Sequence, residues 1–181
     1  MVDSLENGKI YKIKMIKLKE LLEEVENNKY TIYCDLDGVL VDFEKGYEEA
    51  SDKPMSDAGK GAEFWEPIHK MGAAFWANLK WLPDGHELWD HIKPYNPIIL
   101  SAPSQDESSR EGKELWKKNN LPDVKMILTP AKFKQRYATN KSKILIDDMK
   151  KNIDQWEERG GTGILHTSAA DTIKQLKELG L

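Results

Sequence analysis

The sequence predicts an α/β fold: a parallel sheet with helices on both faces, three layers in all, and a small helical insertion after the first strand. Three observations predict it. Short β-rich runs recur along the chain, helical patterns separate them, and one long early stretch breaks the alternation. The runs are YTIYCD at 30–35, PIILS at 97–101, VKMILT at 124–129, KILID at 143–147 and TGILH at 162–166. Each has the length and the β-branched, apolar content of a buried strand. Strands joined through helices run parallel, because tight hairpins join antiparallel neighbours only.

The helices follow from spacing and punctuation. DGHELWDHI begins at Asp84, another helix follows Ser104, KKNIDQWEERG begins at Lys150 and SAADTIKQLKELG at Ser168. Ser104-x-x-Glu107 reads as a capping box, and Asp84 and Ser168 read as N-caps. Gly160 and Gly161 suit a helix end. Ahead of the sheet, Ile16, Leu18, Leu21, Leu22 and Val25 recur at helical spacing, so residues 1–29 are expected to form an extension with an amphipathic helix. Residues 44–82 are rich in aromatic and small residues and are expected to be a helical insertion over one end of the sheet. The core is then 30–43 and 83–181, one domain's worth of a 181-residue chain.

Composition excludes several classes. With 27 Lys+Arg against 31 Asp+Glu, the formal charge of −4 is not that of a nucleic-acid coat. The densest basic stretch, KIYKIKMIKLKE, alternates with apolar residues and reads as a solvated amphipathic face. Cys34 is the single cysteine, which excludes a disulfide framework and a cysteine metal site. No run approaches the ~18 apolar residues of a membrane span, and no signal peptide is recognisable. A cytoplasmic protein with no membrane partner is expected, and nothing in the sequence conflicts with a homodimer.

The chemistry is expected where strands end, since open parallel sheets bind ligands beyond their carboxyl edge. The first strand ends in Asp35 and Asp37, the second in Ser101, and the fourth in Asp147 and Asp148. Four carboxylates at one edge repel unless a proton or cation intervenes. Mg2+ suits such an oxygen set together with a phosphate. Gly38 allows a sharp turn and close approach to an anion. Cys34 should point to the other side of its strand, and His69, His86, His91 and His166 lack metal-ligand spacing.

In this order, DLDGV at 35–39, Ser101 in ILSAP, a loop lysine, and ILIDD at 144–148 resemble the haloacid dehalogenase (HAD) superfamily of phosphatases. The resemblance implies a Rossmann-like core with a cap, Asp35 as nucleophile and Asp37 as general acid and base. It also implies Mg2+ held by Asp35, Asp37 through its carbonyl, Asp147 and Asp148, and a phosphoryl group bound by Ser101, the neighbouring Ala102 and a lysine. A lysine reaching the site from a loop favours Lys134, with Lys132 second. The layout is most similar to the 5'(3')-deoxyribonucleotidase branch, which implies a nucleoside monophosphate as the small-molecule substrate. Phe43, Trp65, Phe75 and Trp76 could stack its base. Ser101-Ala102-Pro103 departs from that branch's Thr-Ser-Pro and removes a hydroxyl. Two other readings stay open, a 3'-phosphatase on nucleic-acid ends, against which the balanced charge argues, and a non-catalytic binding protein on the same fold.

Overall fold

The computed structural model describes residues 29–181 together with Met15. The helix expected over Ile16 to Val25 lies outside the described residues. All five expected runs are strands: β1 (Thr31–Cys34), β2 (Ile98–Ser101), β3 (Met126–Leu128), β4 (Lys143–Asp147) and β5 (Thr162–Leu165). They form one parallel sheet in the order β3-β2-β1-β4-β5. The chain therefore winds to one side of β1 through β2 and β3, and to the other through β4 and β5. The crevice at the carboxyl end of such a central strand is where doubly wound sheets bind ligands.

The segment after β1 carries helices α1 (Phe43–Ser51), α2 (Ala62–Met71) and α3 (Ala73–Ala77). Its two ends lie side by side, because Val41 bridges Trp81 antiparallel and the Asp42 amide donates to the Lys80 carbonyl at 2.8 Å. Asp42 caps α1 by accepting from the Lys45 amide at 2.9 Å. Within the segment Phe64 stacks on Tyr47 with ring centroids 4.8 Å apart. Helices α4 (Gly85–Ile92), α5 (Glu107–Asn120), the single turn α6 (Ala131–Lys134), α7 (Lys150–Glu158) and α8 (Ala169–Glu178) complete the fold. None of the described helices is long and apolar enough to cross a membrane.

Packing fixes the sheet. Tyr33, Leu100 and Leu145 are buried with Ile153 and Trp156 of α7, and the Trp156 indole meets the Tyr33 ring edge-on at 5.2 Å. The buried indole N–H is satisfied by the Lys143 carbonyl at 2.9 Å. On α5, Gly112 lets α3 approach so closely that a Cβ there would lie 2.4 Å from the Ala73 carbonyl oxygen.

Two helix starts differ from expectation. Ser104 does not cap α5. Its hydroxyl accepts from the Asp106 amide, and Asp106 is the cap, accepting from the Ser108 amide at 2.9 Å. An Asx cap two residues downstream satisfies the first-turn donors as well as the Ser-x-x-Glu box could. Asp84 precedes α4, but its carboxylate accepts from the Ala169 amide at 2.7 Å and so ties down the start of α8 instead. Ser168 caps α8 as expected, accepting from the Asp171 amide.

Candidate active site

Sequence and backbone geometry deliver five polar residues to one strand edge. β1 ends one residue before Asp35, whose amide still donates to the Ile146 carbonyl of β4 at 2.9 Å. The chain then turns on itself, with the Leu36 carbonyl accepting from the amides of Leu40 and Val41 at 2.9 Å. Gly38 makes the turn possible with φ +71, a conformation that costs a side-chain-bearing residue. A Cβ at Gly38 would also lie 2.4 Å from Asp148 Oδ2, so the turn packs directly against the acidic pair after β4.

Lys134 supplies the first pair of contacts. It is buried, and its Nζ donates to Asp35 Oδ2 at 2.6 Å and to Asp147 Oδ2 at 2.7 Å. Burial alone would lower its pKa, but the two carboxylates outweigh this and hold the ammonium well above its usual range. Asp147 is held by three further bonds, two from Asn152 Nδ2 at 2.9 and 3.1 Å and one from the Met149 amide at 2.9 Å. Its orientation is therefore fixed from three sides.

Lys113 supplies the second pair. This fully buried ammonium donates to Asp37 Oδ2 and, at 2.9 Å, to Ser101 Oγ. Burial pushes the Asp37 carboxyl up against the downward pull of Lys113. A carboxyl shifted upward beside the strand edge is suited to giving and taking a proton.

Asp35, Asp147 and Asp148 each bring a carboxylate oxygen within 4.8 Å of the others. Partial desolvation of the carboxyl beside the cleft, then Asp35 and Asp147, push the Asp148 group up to about 7, although the residue as a whole stays solvent-exposed. Three hard oxygen donors in this proximity fit a divalent cation such as Mg2+, which would relieve the repulsion that holds Asp148 protonated.

A cleft of about 570 Å³ opens over these groups. Asp35, Asp37, Lys134 and Asp148 line its floor, and Phe43 and Met55 of the inserted segment line one wall. Ala102 lines it too but offers no side-chain donor. Ser101 faces Lys113 beneath. Lys132 stays exposed at the mouth, so of the two lysines weighed from the sequence it is Lys134 that reaches the carboxylates. Of the four aromatic residues expected at the substrate, Phe43 alone lines the cleft. Phe75 and Trp76 are buried, with their rings 5.6 Å from that of Phe43. Trp65 packs on Phe64 and on His69, 6.2 Å from the latter. The inserted helices need their own apolar contacts, and these three rings supply them.

Cys34 is buried, and burial pushes its thiol up, so it is an inert core group. His166 pairs with the Thr172 hydroxyl at 2.8 Å, and none of the four histidines joins the carboxylates.

Two residues at the site escaped sequence reading, Lys113 and Asn152. Both carry a detectable signal. Ser109, Gly112, Lys113 and Trp116 form the buried face of α5, and Asn152, Ile153 and Trp156 that of α7. A polar group on the packed face of an amphipathic helix demands a partner at the strand edge it covers.

No family model and no curated protein matches the chain. Two solved structures share its fold. A hydrolase from Streptococcus pneumoniae TIGR4 is 15% identical, with a TM-score of 0.53 over 82% of this chain and 99% of that one. A Had-superfamily hydrolase from Ehrlichia chaffeensis is also 15% identical, with a TM-score of 0.51 over 83% of this chain and 97% of that one. The chain thus has the α/β fold of HAD-like hydrolases.

Proposed function

We propose that the protein is a phosphomonoesterase of the HAD superfamily, dependent on Mg2+, and that its substrates are nucleotides of the kind hydrolysed by 5'(3')-deoxyribonucleotidases. One observation carries the reading. Each carboxylate of the Asp-x-Asp pair is held by its own buried lysine, and each lysine bridges to a second strand end, Lys134 to Asp147 and Lys113 to Ser101. Such an arrangement fixes two acids for different tasks beside a place for a phosphoryl group.

Asp35 Oδ attacks phosphorus, a P–O bond forms to the carboxylate, and the bond to the leaving oxygen breaks. Asp37, with its upward-shifted carboxyl, gives its proton to that leaving oxygen. It then takes a proton from the water that attacks phosphorus, which frees inorganic phosphate and restores Asp35. Lys134 keeps Asp35 aimed, while Lys113 and Ser101 offer donors to the phosphoryl oxygens. Mg2+ on Asp35, Asp147 and Asp148, with the Asp37 carbonyl, would neutralise phosphoryl charge so that one anion can approach another. The segment between Asp42 and Leu82 acts as the cap, setting Phe43 and Met55 against the leaving group.

The test is phosphate release from 5'- and 3'-, ribo- and deoxyribonucleoside monophosphates and an aryl phosphate, with and without Mg2+. Wild type should release phosphate only with the metal, and Asp35→Asn should not. Retained turnover in Asp35→Asn would overturn the mechanism. Cleavage of the aryl phosphate alone would overturn the nucleotide assignment.

A further inference from the structure

The cleft holds more positive charge than hydrolysis of one phosphoryl group uses. Lys113 and Lys134 are spoken for at its floor by Asp37, Asp35 and Asp147. Above them Lys132 of α6 and Lys151 of α7 also line the cleft, both on the core wall. Neither makes an ion pair among the described residues. The contrast with their neighbour is informative: Lys150 is bound to Asp154 at 2.6 Å, on the outer side of the same helix turn.

The inserted segment contributes a charge of the other sign. Glu44, in the first turn of α1, lines the cleft from the inserted segment. Phe43 and Met55 of the same segment, with Met149, add an apolar belt to the lining. The lining therefore combines three kinds of group: carboxylates at a phosphoryl position, apolar side chains, and two ammonium groups with no ion-pair partner among the described residues, that of Lys132 lying over the Phe133 ring 5.0 Å from its centroid. Lys151 moreover stands in the first turn of its helix, where the positive helix end disfavours a cation unless an anion joins it.

We infer that the preferred substrate is a small phosphomonoester carrying a second phosphate, which Lys132 and Lys151 hold while the first phosphoryl group lies on Asp35. The inference rests on the phosphatase reading above and narrows its substrate class. An apolar or aromatic body suits the belt, so a nucleoside bisphosphate meets all three zones. A nucleic-acid end is a poorer fit, because a continuing strand needs a track of cations and the cleft lining also presents Glu44.

The experiment compares kcat/KM for two matched pairs: a nucleoside 5'-monophosphate with its 3',5'-bisphosphate, and a pentose monophosphate with its bisphosphate. An aryl phosphate and a 5'-phosphorylated oligonucleotide complete the set. Wild type should favour the bisphosphate at least tenfold in one or both pairs, chiefly through KM. The double variant Lys132→Ala/Lys151→Ala should lose most of that ratio, Lys150→Ala should keep it, and raising salt should erode it. A wild-type ratio near one, or a ratio that survives the double substitution, overturns the inference while aryl phosphate turnover leaves the phosphatase reading standing. Preference for the oligonucleotide replaces a small molecule with a nucleic-acid end and also overturns it. Failure to cleave any ester removes the phosphatase reading and this inference together.

Discussion

Alanine at Gly38 separates backbone cost from metal affinity, because two different atoms bear the two penalties. The backbone there has φ +71, and a left-handed conformation costs a residue with a Cβ about 1–2 kcal/mol. The new methyl would also lie 2.4 Å from Asp148 Oδ2 and 2.8 Å from its Cγ. Asp148 is exposed, so its carboxylate can swing aside at little cost to folding, but it then leaves the group formed with Asp35 and Asp147. At about 2–4 °C per kcal/mol for a domain of this size, the metal-free melting temperature should fall by about 2–8 °C. Mg2+ at a hundred times the wild-type Kd stabilises wild type by about 2.7 kcal/mol, and a tenfold loss of affinity would halve that. Thermal melts in EDTA and in Mg2+ measure both quantities on one sample. If Gly38→Ala melts lower in EDTA yet gains as much from Mg2+ as wild type does, Asp148 is not a ligand and the metal group is misassigned. A far larger drop would show that Asp148 cannot move, against the exposure on which the reasoning depends.

Three further outcomes follow from contacts at the site. Lys113→Met removes the donor shared by Asp37 and Ser101; kcat/KM should fall about 10²-fold or more, and the alkaline limb of the residual activity should move to higher pH as Asp37 loses the ammonium that lowers it. An unchanged pH profile would refute the link between Lys113 and Asp37. Because Asp148 titrates near 7 and a metal binds only the ionised form, calorimetric Mg2+ affinity should drop about tenfold per pH unit below 7 and level off above it. The metal-free protein should show the matching sign: a carboxyl raised by folding is held protonated more tightly in the native state, so stability falls as pH rises from the ordinary carboxylate range to 7 and is level beyond. Affinity that is flat from pH 5.5 to 8 would remove Asp148 from the site. Gly112→Ala drives a methyl against the Ala73 carbonyl and Trp76 Cβ, and such overpacking should cost about 1–3 kcal/mol. An unaltered melting temperature would mean that α3 does not pack as closely on α5 as described.

The strands and the strand-end acids were legible because a period-two or continuous apolar run, cut off by Asp or Ser, carries its own signal. Asp35 and Asp37 lie one and three residues past β1, Ser101 and Asp147 are the last residues of β2 and β4, and Asp148 follows at once. Lys134 was reached by exclusion, since Lys143 starts β4 and turns its ammonium to Thr31 Oγ1 at 3.0 Å. Lys113 and Asn152 were not reached, because each belongs to a helix whose register against the sheet the sequence does not state. Knowing that α5 buries Ser109, Gly112, Lys113 and Trp116 needs the tertiary contact that makes that face the inner one. Trp65, Phe75 and Trp76, unlike Phe43, do not line the cleft, for a related reason. Composition places Phe75 and Trp76 in the right segment, but whether a ring packs inward or lines a cleft is decided by α3 docking on α5, which rests on the absence of a side chain at Gly112.

Charge explains why this floor has both lysines and room for a metal. Asp35, Asp37, Asp147 and Asp148 together would carry four negative charges, and Lys113 and Lys134 return two positive ones. The negative charges outnumber the positive ones by two, and burial together with the neighbouring carboxylates shifts the Asp37, Asp147 and Asp148 carboxyls upward. A divalent cation held by Asp35, Asp147 and Asp148 would offset that excess and favour the ionised form of Asp148, while the Asp37 side chain stays with Lys113. On the proposed reading, a phosphoryl dianion arriving beside Asp35 brings negative charge back to the floor. Lys113 and Lys134 are engaged by Asp37, Asp35 and Asp147, whereas Lys132 and Lys151 line the cleft without an ion pair among the described residues and are left to meet a second anion on the substrate.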